Sequence, residues 1–94
     1  MDIVKQSESF VLTDTTDVFD CKCEFNSNVD GNVNIHLNVH DLNGNYIGNV
    51  DYSLYSQSNQ IHLGVNCVKK DQPTLIEYAN TVVDAVMNFI NNNK

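Results

Sequence analysis

The chain is expected to be α+β: an antiparallel β-meander of four to five strands with one C-terminal helix packed on one face. Three observations point there. Apolar and polar residues alternate with period two from residue 18 to residue 68. Turn-forming dipeptides, Asp30-Gly31 and Asn43-Gly44, separate the alternating runs. Beyond Pro73 the apolar period becomes helical. Ninety-four residues, 41% of them hydrophobic, suffice for one core, so residues 1–94 are expected to form a single domain.

The first expected strand is Ser9–Thr13, followed by a turn-like Asp14-Thr15-Thr16-Asp17. In the next, Phe19, Cys21, Cys23 and Phe25 point one way while Asp20, Lys22 and Glu24 point the other. Val33, Ile35, Leu37 and Val39 then make an apolar row opposed by Asn34, His36, Asn38 and His40. A type I′ turn at Asn43-Gly44, with both central residues at positive φ, pairs Leu37 with Val50, Ile35 with Tyr52 and Val33 with Leu54. That register sets His36 opposite Asp51, and a three-residue loop around Asp30-Gly31 sets Glu24 beside His36. Residues 56–59 (SQSN) turn the last hairpin, whose final strand buries Ile61, Leu63, Val65 and Cys67. The helix carries Leu75, Ile76, Ala79, Val82, Val83, Val86 and Ile90 on one stripe. Thr74 and Glu77 are spaced as a capping box behind Pro73, and the polar Asn91–Lys94 ends the helix.

Charge narrows the function classes. Twelve Asp and Glu stand against five Lys, giving a net charge of −7. Nine of those acids and only two of the lysines fall in residues 1–51. Nucleic acid as a direct ligand is disfavoured, because phosphate binding rests on clustered Lys and Arg. Two readings fit the imbalance: a solvated, solubilising surface, or an acidic face meant for a basic partner. No apolar run nears the ~18 residues of a membrane-spanning helix. The opening MDIVKQSESF has neither the basic nor the apolar segment of a secretory signal. A cytoplasmic location is expected, and with it thiols rather than disulfides for the three cysteines.

Those cysteines support two readings. A meander brings the start of the Cys21 strand, the end of the His40 strand and the end of the Cys67 strand to one sheet edge. Cys21, Cys23, His40 and Cys67 would then be a tetrahedral set for a structural Zn2+. Alternation of Cys21 and Cys23 with Phe19 and Phe25 equally describes plain core, and in a flat meander the outer cysteine strands are not neighbours. A second candidate set for a divalent ion is Glu24, His36 and Asp51, adjacent across three strands, with His62 on the same face; an ordinary ion-pair row is its alternative. Catalysis is not expected. No phosphate-cradling glycine loop is present, and the alternation turns cysteines and histidines to opposite faces.

Small size, acidity concentrated on a sheet, fifteen Asn and a meander closed by one helix resemble phage-encoded anti-CRISPR proteins, above all inhibitors of type II-A Cas9. The resemblance spans the whole chain. It implies a stoichiometric inhibitor that binds a basic surface of Cas9 in the host bacterial cytoplasm and blocks guide or target-DNA loading. Some such inhibitors bind zinc. The residues expected to meet the partner are Asp20, Glu24, Asp41 and Asp51, with Asp14, Asp17 and Asp30 from flanking turns. The competing expectation is a small structural metalloprotein or immunity-like interaction module with another protein partner. Self-assembly through an exposed strand edge or sheet face is a third.

Overall fold

A computed structural model of the protein describes residues 1–6, 9–28 and 30–92. Six antiparallel strands lie in one sheet in chain order: β1 (Asp2–Gln6), β2 (Ser9–Thr15), β3 (Phe19–Ser27), β4 (Val33–Asp41), β5 (Tyr46–Tyr55) and β6 (Gln60–Cys67). A 3-10 turn at Lys69–Asp71 runs into the helix α1 (Gln72–Asn92). Class, meander and terminal helix are as expected, with six strands where four to five were. The sixth is β1, whose DIVKQ sequence has no clean alternation. It is ordered by pairing, Ile3 opposite Leu12 and Val4 opposite Val11.

β4 and β5 pair as the hydrophobic pattern requires: Leu37 opposite Val50, Ile35 opposite Tyr52, Val33 opposite Leu54. The turn between them is not type I′. Only Gly44 is left-handed, at φ 86°, and Asp41 N–H donates to the Asn45 carbonyl, which closes a loop over Leu42–Gly44. Such a loop shifts the pairing by one residue. A β-bulge shifts it back: His40 pairs with Tyr46 while Val39 pairs with Gly48, leaving Ile47 as the extra residue. Core burial thus restores the register that the turn displaced. In the β3–β4 loop Asn28 N–H donates to the Asn32 carbonyl and Gly31 is left-handed, so Glu24 meets His36 as expected.

Two other local expectations shift. β2 continues through Asp14 and Thr15, and the turn is made by Thr16, whose hydroxyl oxygen accepts from the Val18 and Phe19 N–H groups. α1 starts at Gln72, so Thr74 lies inside its first turn rather than capping it. Pro73, with no N–H to leave unsatisfied and φ already helical, suits that first turn. The helix runs at least to Asn92; Asn93 and Lys94 lie outside the described residues.

The core lies between α1 and one face of the sheet, with Leu12, Cys23, Leu37, Val39, Val50, Leu75, Val82 and Val86 fully buried. The helix crosses the sheet obliquely. Leu75 seats over Gly48 on β5. Tyr78 packs at a tilt against Phe19, and Phe89 meets Phe10 and Phe25. Because α1 drifts from β5 toward β2 and β3, it leaves the far end of β6 bare, while Tyr52 and Leu54 on β5 still pack against the core. Ile61 and Leu63, expected in the core, are exposed at 56% and 44%.

Candidate functional site

The uncovered face of the sheet is built from the polar phase of each alternating strand. Strand pairing sorts it into rows. Thr15, Asp20, His40 and Tyr46 make the row at the β2–β3 turn end. Thr13, Lys22, Asn38, Asn49 and Asn66 follow, then Val11, Glu24, His36, Asp51 and Gly64. Ser9, Asn26, Asn34, Ser53 and His62 come last. Among the described residues no helix lies on this side.

The central row realises the expected juxtaposition of Glu24, His36 and Asp51. Asp51 Oδ1 contacts His36 Nδ1, which orients the imidazole and directs its other nitrogen away from Asp51. Beside this pair runs an amide relay. Ser53 Oγ donates to Asn34 Oδ1 at 3.1 Å, and Asn34 Nδ2 donates to Asn26 Oδ1 at 3.3 Å. Glu24, Asn26, Asn34, His36, Asp51 and His62 are among the residues bordering a shallow depression of about 560 Å3. At the far end Thr15 Oγ1 donates to Asp20 Oδ1, and the His40 and Tyr46 rings meet edge to face at 5.6 Å.

The structure divides the seven acids expected to meet a partner. Asp20, Glu24 and Asp51 share the open face and are exposed, as are Asp17 and Asp30 in the turns at opposite ends of β3. Asp14 belongs to β2, not to a turn. It pairs with Cys21, which places it on the helix side, and its carboxylate accepts the Tyr78 hydroxyl at 2.7 Å. Asp41 caps its own turn, accepting from the Asn43 and Asn45 N–H groups and the Asn45 side-chain amide. Those bonds, the Asn45 N–H first, hold its carboxyl below the ordinary carboxylate range. Both acids fall in the helix-side phase of their strands, Asp14 opposite Cys21 and Asp41 opposite Phe19, so neither belongs to the open face.

Cys21, Cys23, His40 and Cys67 are not brought together. Cys21 and Cys23 are buried beneath α1, whereas His40 stands on the opposite face. Cys67 shares the row Cys21–Val39–Gly48–Cys67, but three strand spacings, about 14 Å, separate the two cysteines. The sheet stays open, so the edge never folds round to unite them. Burial pushes the Cys21 thiol up to about 11, partly offset by the Tyr78 hydrogen bond, and the Cys23 thiol up to about 12. Thiols held protonated are poor ligands, since a metal takes the thiolate. Tyr78 is likewise pushed up, by burial first and by its bond to Asp14 second. Among the described residues no group of three or more His, Cys, Asp or Glu side chains is spaced to hold a metal ion. The Glu24–His36–Asp51 row is no exception.

Sequence reasoning overlooked the amide content of the open face, where Asn26, Asn34, Asn38, Asn49 and Asn66 outnumber the acids. The signal was present, since these asparagines occupy the polar phase of the alternation. It also overlooked the Tyr78–Asp14 bond, which joins residues far apart in the chain and has no local signature. No helix among the described residues is long and apolar enough to cross a membrane. Comparison with protein-family models, curated proteins and solved structures finds no match.

Proposed function

We propose that this protein is a stoichiometric binding module for a basic protein surface. It acts as an inhibitor of a nucleic-acid enzyme, with Cas9 the partner to test first because of the anti-CRISPR resemblance. The observation that carries this reading is the helix-free face on which Asp20, Glu24 and Asp51 stand exposed with Lys22 as their one lysine, flanked by Asp17 and Asp30. The amide rows supply donors and acceptors that adapt to a partner's side chains and backbone, and the shallow depression admits a projecting Lys or Arg. An acidic face on a chain of net charge −7 accelerates encounter with a Lys/Arg-rich groove and competes with nucleic acid for it.

The test is the triple variant Asp20→Lys, Glu24→Lys, Asp51→Lys, assayed for binding to Cas9 and for inhibition of guide loading and target-DNA cleavage. Three surface charge pairs at roughly 0.2–1 kcal/mol each, followed by repulsion from the new lysines, weaken binding by about tenfold or more. The far-UV spectrum is retained, since all three side chains are exposed. Wild-type affinity falls as salt rises. Undiminished inhibition by the triple variant, or affinity indifferent to salt, sinks the proposal.

A further inference from the structure

β6 is one of the two free edges of the sheet, and the two differ in kind. β1 has five residues and carries Asp2 and Lys5, charges of the sort that keep edges from pairing. β6 has eight residues, QIHLGVNC, with no Lys, Pro, Asp or Glu, and its register with β5 is unbroken. Its helix-side residues Ile61 and Leu63 lie beyond the reach of α1 and are largely exposed. Among the described residues the edge therefore presents unpaired backbone groups beside bare apolar side chains.

We propose that β6 is a dimer interface, two copies of this chain pairing their β6 strands antiparallel about a two-fold axis at Leu63. The strand is self-complementary about that residue. Leu63 meets Leu63 of the second copy, Ile61 meets Val65, Gln60 meets Asn66 and His62 meets Gly64. Every pair keeps apolar residues on the helix side and polar ones on the open face. The polar side chains fit the same arrangement. Asp51 lies opposite Gly64 within its own chain, and a side chain at Gly64 would find only the Asp51 Cβ and the His62 ring near it, each at 3.9 Å. His62 of the second copy stands on the other side of that gap, two strand spacings or about 10 Å from Asp51 between backbones. An imidazole and a carboxylate together span most of that distance. The one acid on β5 and β6 thus faces an imidazole of the other chain, and the two open faces become one continuous acidic surface.

Analytical ultracentrifugation of the full chain over a wide concentration range tests this. The wild type is expected to move from 10.6 kDa to twice that mass, with amides of residues 60–67 gaining hydrogen-exchange protection as the dimer fills. Leu63→Lys sets two lysines face to face on the axis and is expected to weaken association at least tenfold. Leu63 is already 44% exposed, so circular dichroism of that variant remains native. A wild type that stays at 10.6 kDa throughout overturns the proposal. So does a Leu63→Lys chain that dimerises as well as the wild type, which would place the contact on another surface. The variant keeps Asp20, Glu24 and Asp51, so failure here leaves the inhibitor reading separately testable.

Discussion

Gly48→Ala probes the joint on which the placement of α1 depends. Gly48 follows the β5 bulge and pairs with Val39 on one side and Cys67 on the other. A Cβ at Gly48 would lie 2.5 Å from the Asn66 carbonyl oxygen, 2.7 Å from the Cys67 Cβ and 3.0 Å from Leu75 Cδ2. The first two belong to the backbone framework of β6 and cannot swing aside, and Leu75 is fully buried. One added methyl must therefore push β6 or lift the start of α1. Overpacking of this kind costs about 1–3 kcal/mol. At roughly 4–8 °C per kcal/mol for a domain of this size, the melting temperature falls by about 4–24 °C. Gly64→Ala is the matched control on the next strand, where nothing stands closer than 3.9 Å to the new carbon. There the smaller conformational freedom of the unfolded chain raises stability by about 0.4–1 kcal/mol. Calorimetry or thermal circular dichroism of both variants at low concentration, where self-association does not contribute, gives the comparison. A Gly48→Ala chain melting at or above the wild-type temperature would refute the seat described for Leu75.

Four further outcomes follow from the helix-side polar groups and the open-face pair. Unfolded thiols ionise from 9.0, while native Cys21 holds its proton to about 11 and Cys23 to about 12. Between 9.0 and those native values the unfolded state therefore binds fewer protons, so stability is full at neutrality and declines as pH rises past 9.0. Urea titrations at several alkaline pH values measure the decline, and a thiol reagent should label Cys67 in the native chain but Cys21 and Cys23 only on unfolding. Tyr78→Phe removes the hydroxyl that donates to Asp14 and lowers stability by about 1.5 kcal/mol, read by denaturant titration at neutral pH. Asp51→Asn weakens the exposed pair with His36 yet changes stability by less than about 1 kcal/mol in the same titration, because water already solvates both groups.

The alternation of Phe19, Cys21, Cys23 and Phe25 with Asp20, Lys22 and Glu24 is a local pattern with one solution on a half-buried strand. The meander and its faces were legible for that reason. The pairing of Glu24, His36 and Asp51 was legible too, since a slip of one residue would bury polar side chains. Apart from local turn and cap details, what escaped depended on partners distant in sequence. β1 needed β2 beside it to exist. Asp14 read as a turn residue until Tyr78 reached it from the helix. The proposed zinc set assumed that strands close in topology would also be close in space, and an open sheet holds Cys21 and Cys67 about 14 Å apart.

Composition and periodicity by themselves determined the α+β class, the order of the hairpins and the gathering of Asp20, Glu24 and Asp51 on one side. Each follows from burying one face of a strand, which a residue's immediate neighbours already encode. Tertiary structure decided which acids remain available, where α1 stops covering the sheet and why β6 is left as a bare edge. The engagement of Asp14 and the bare apolar end of β6 depend on the crossing direction of a single helix, whereas Asp41 is held by its own turn. That direction is set by Leu75 over Gly48 and Phe89 over Phe10 and Phe25, contacts between residues that no local pattern links.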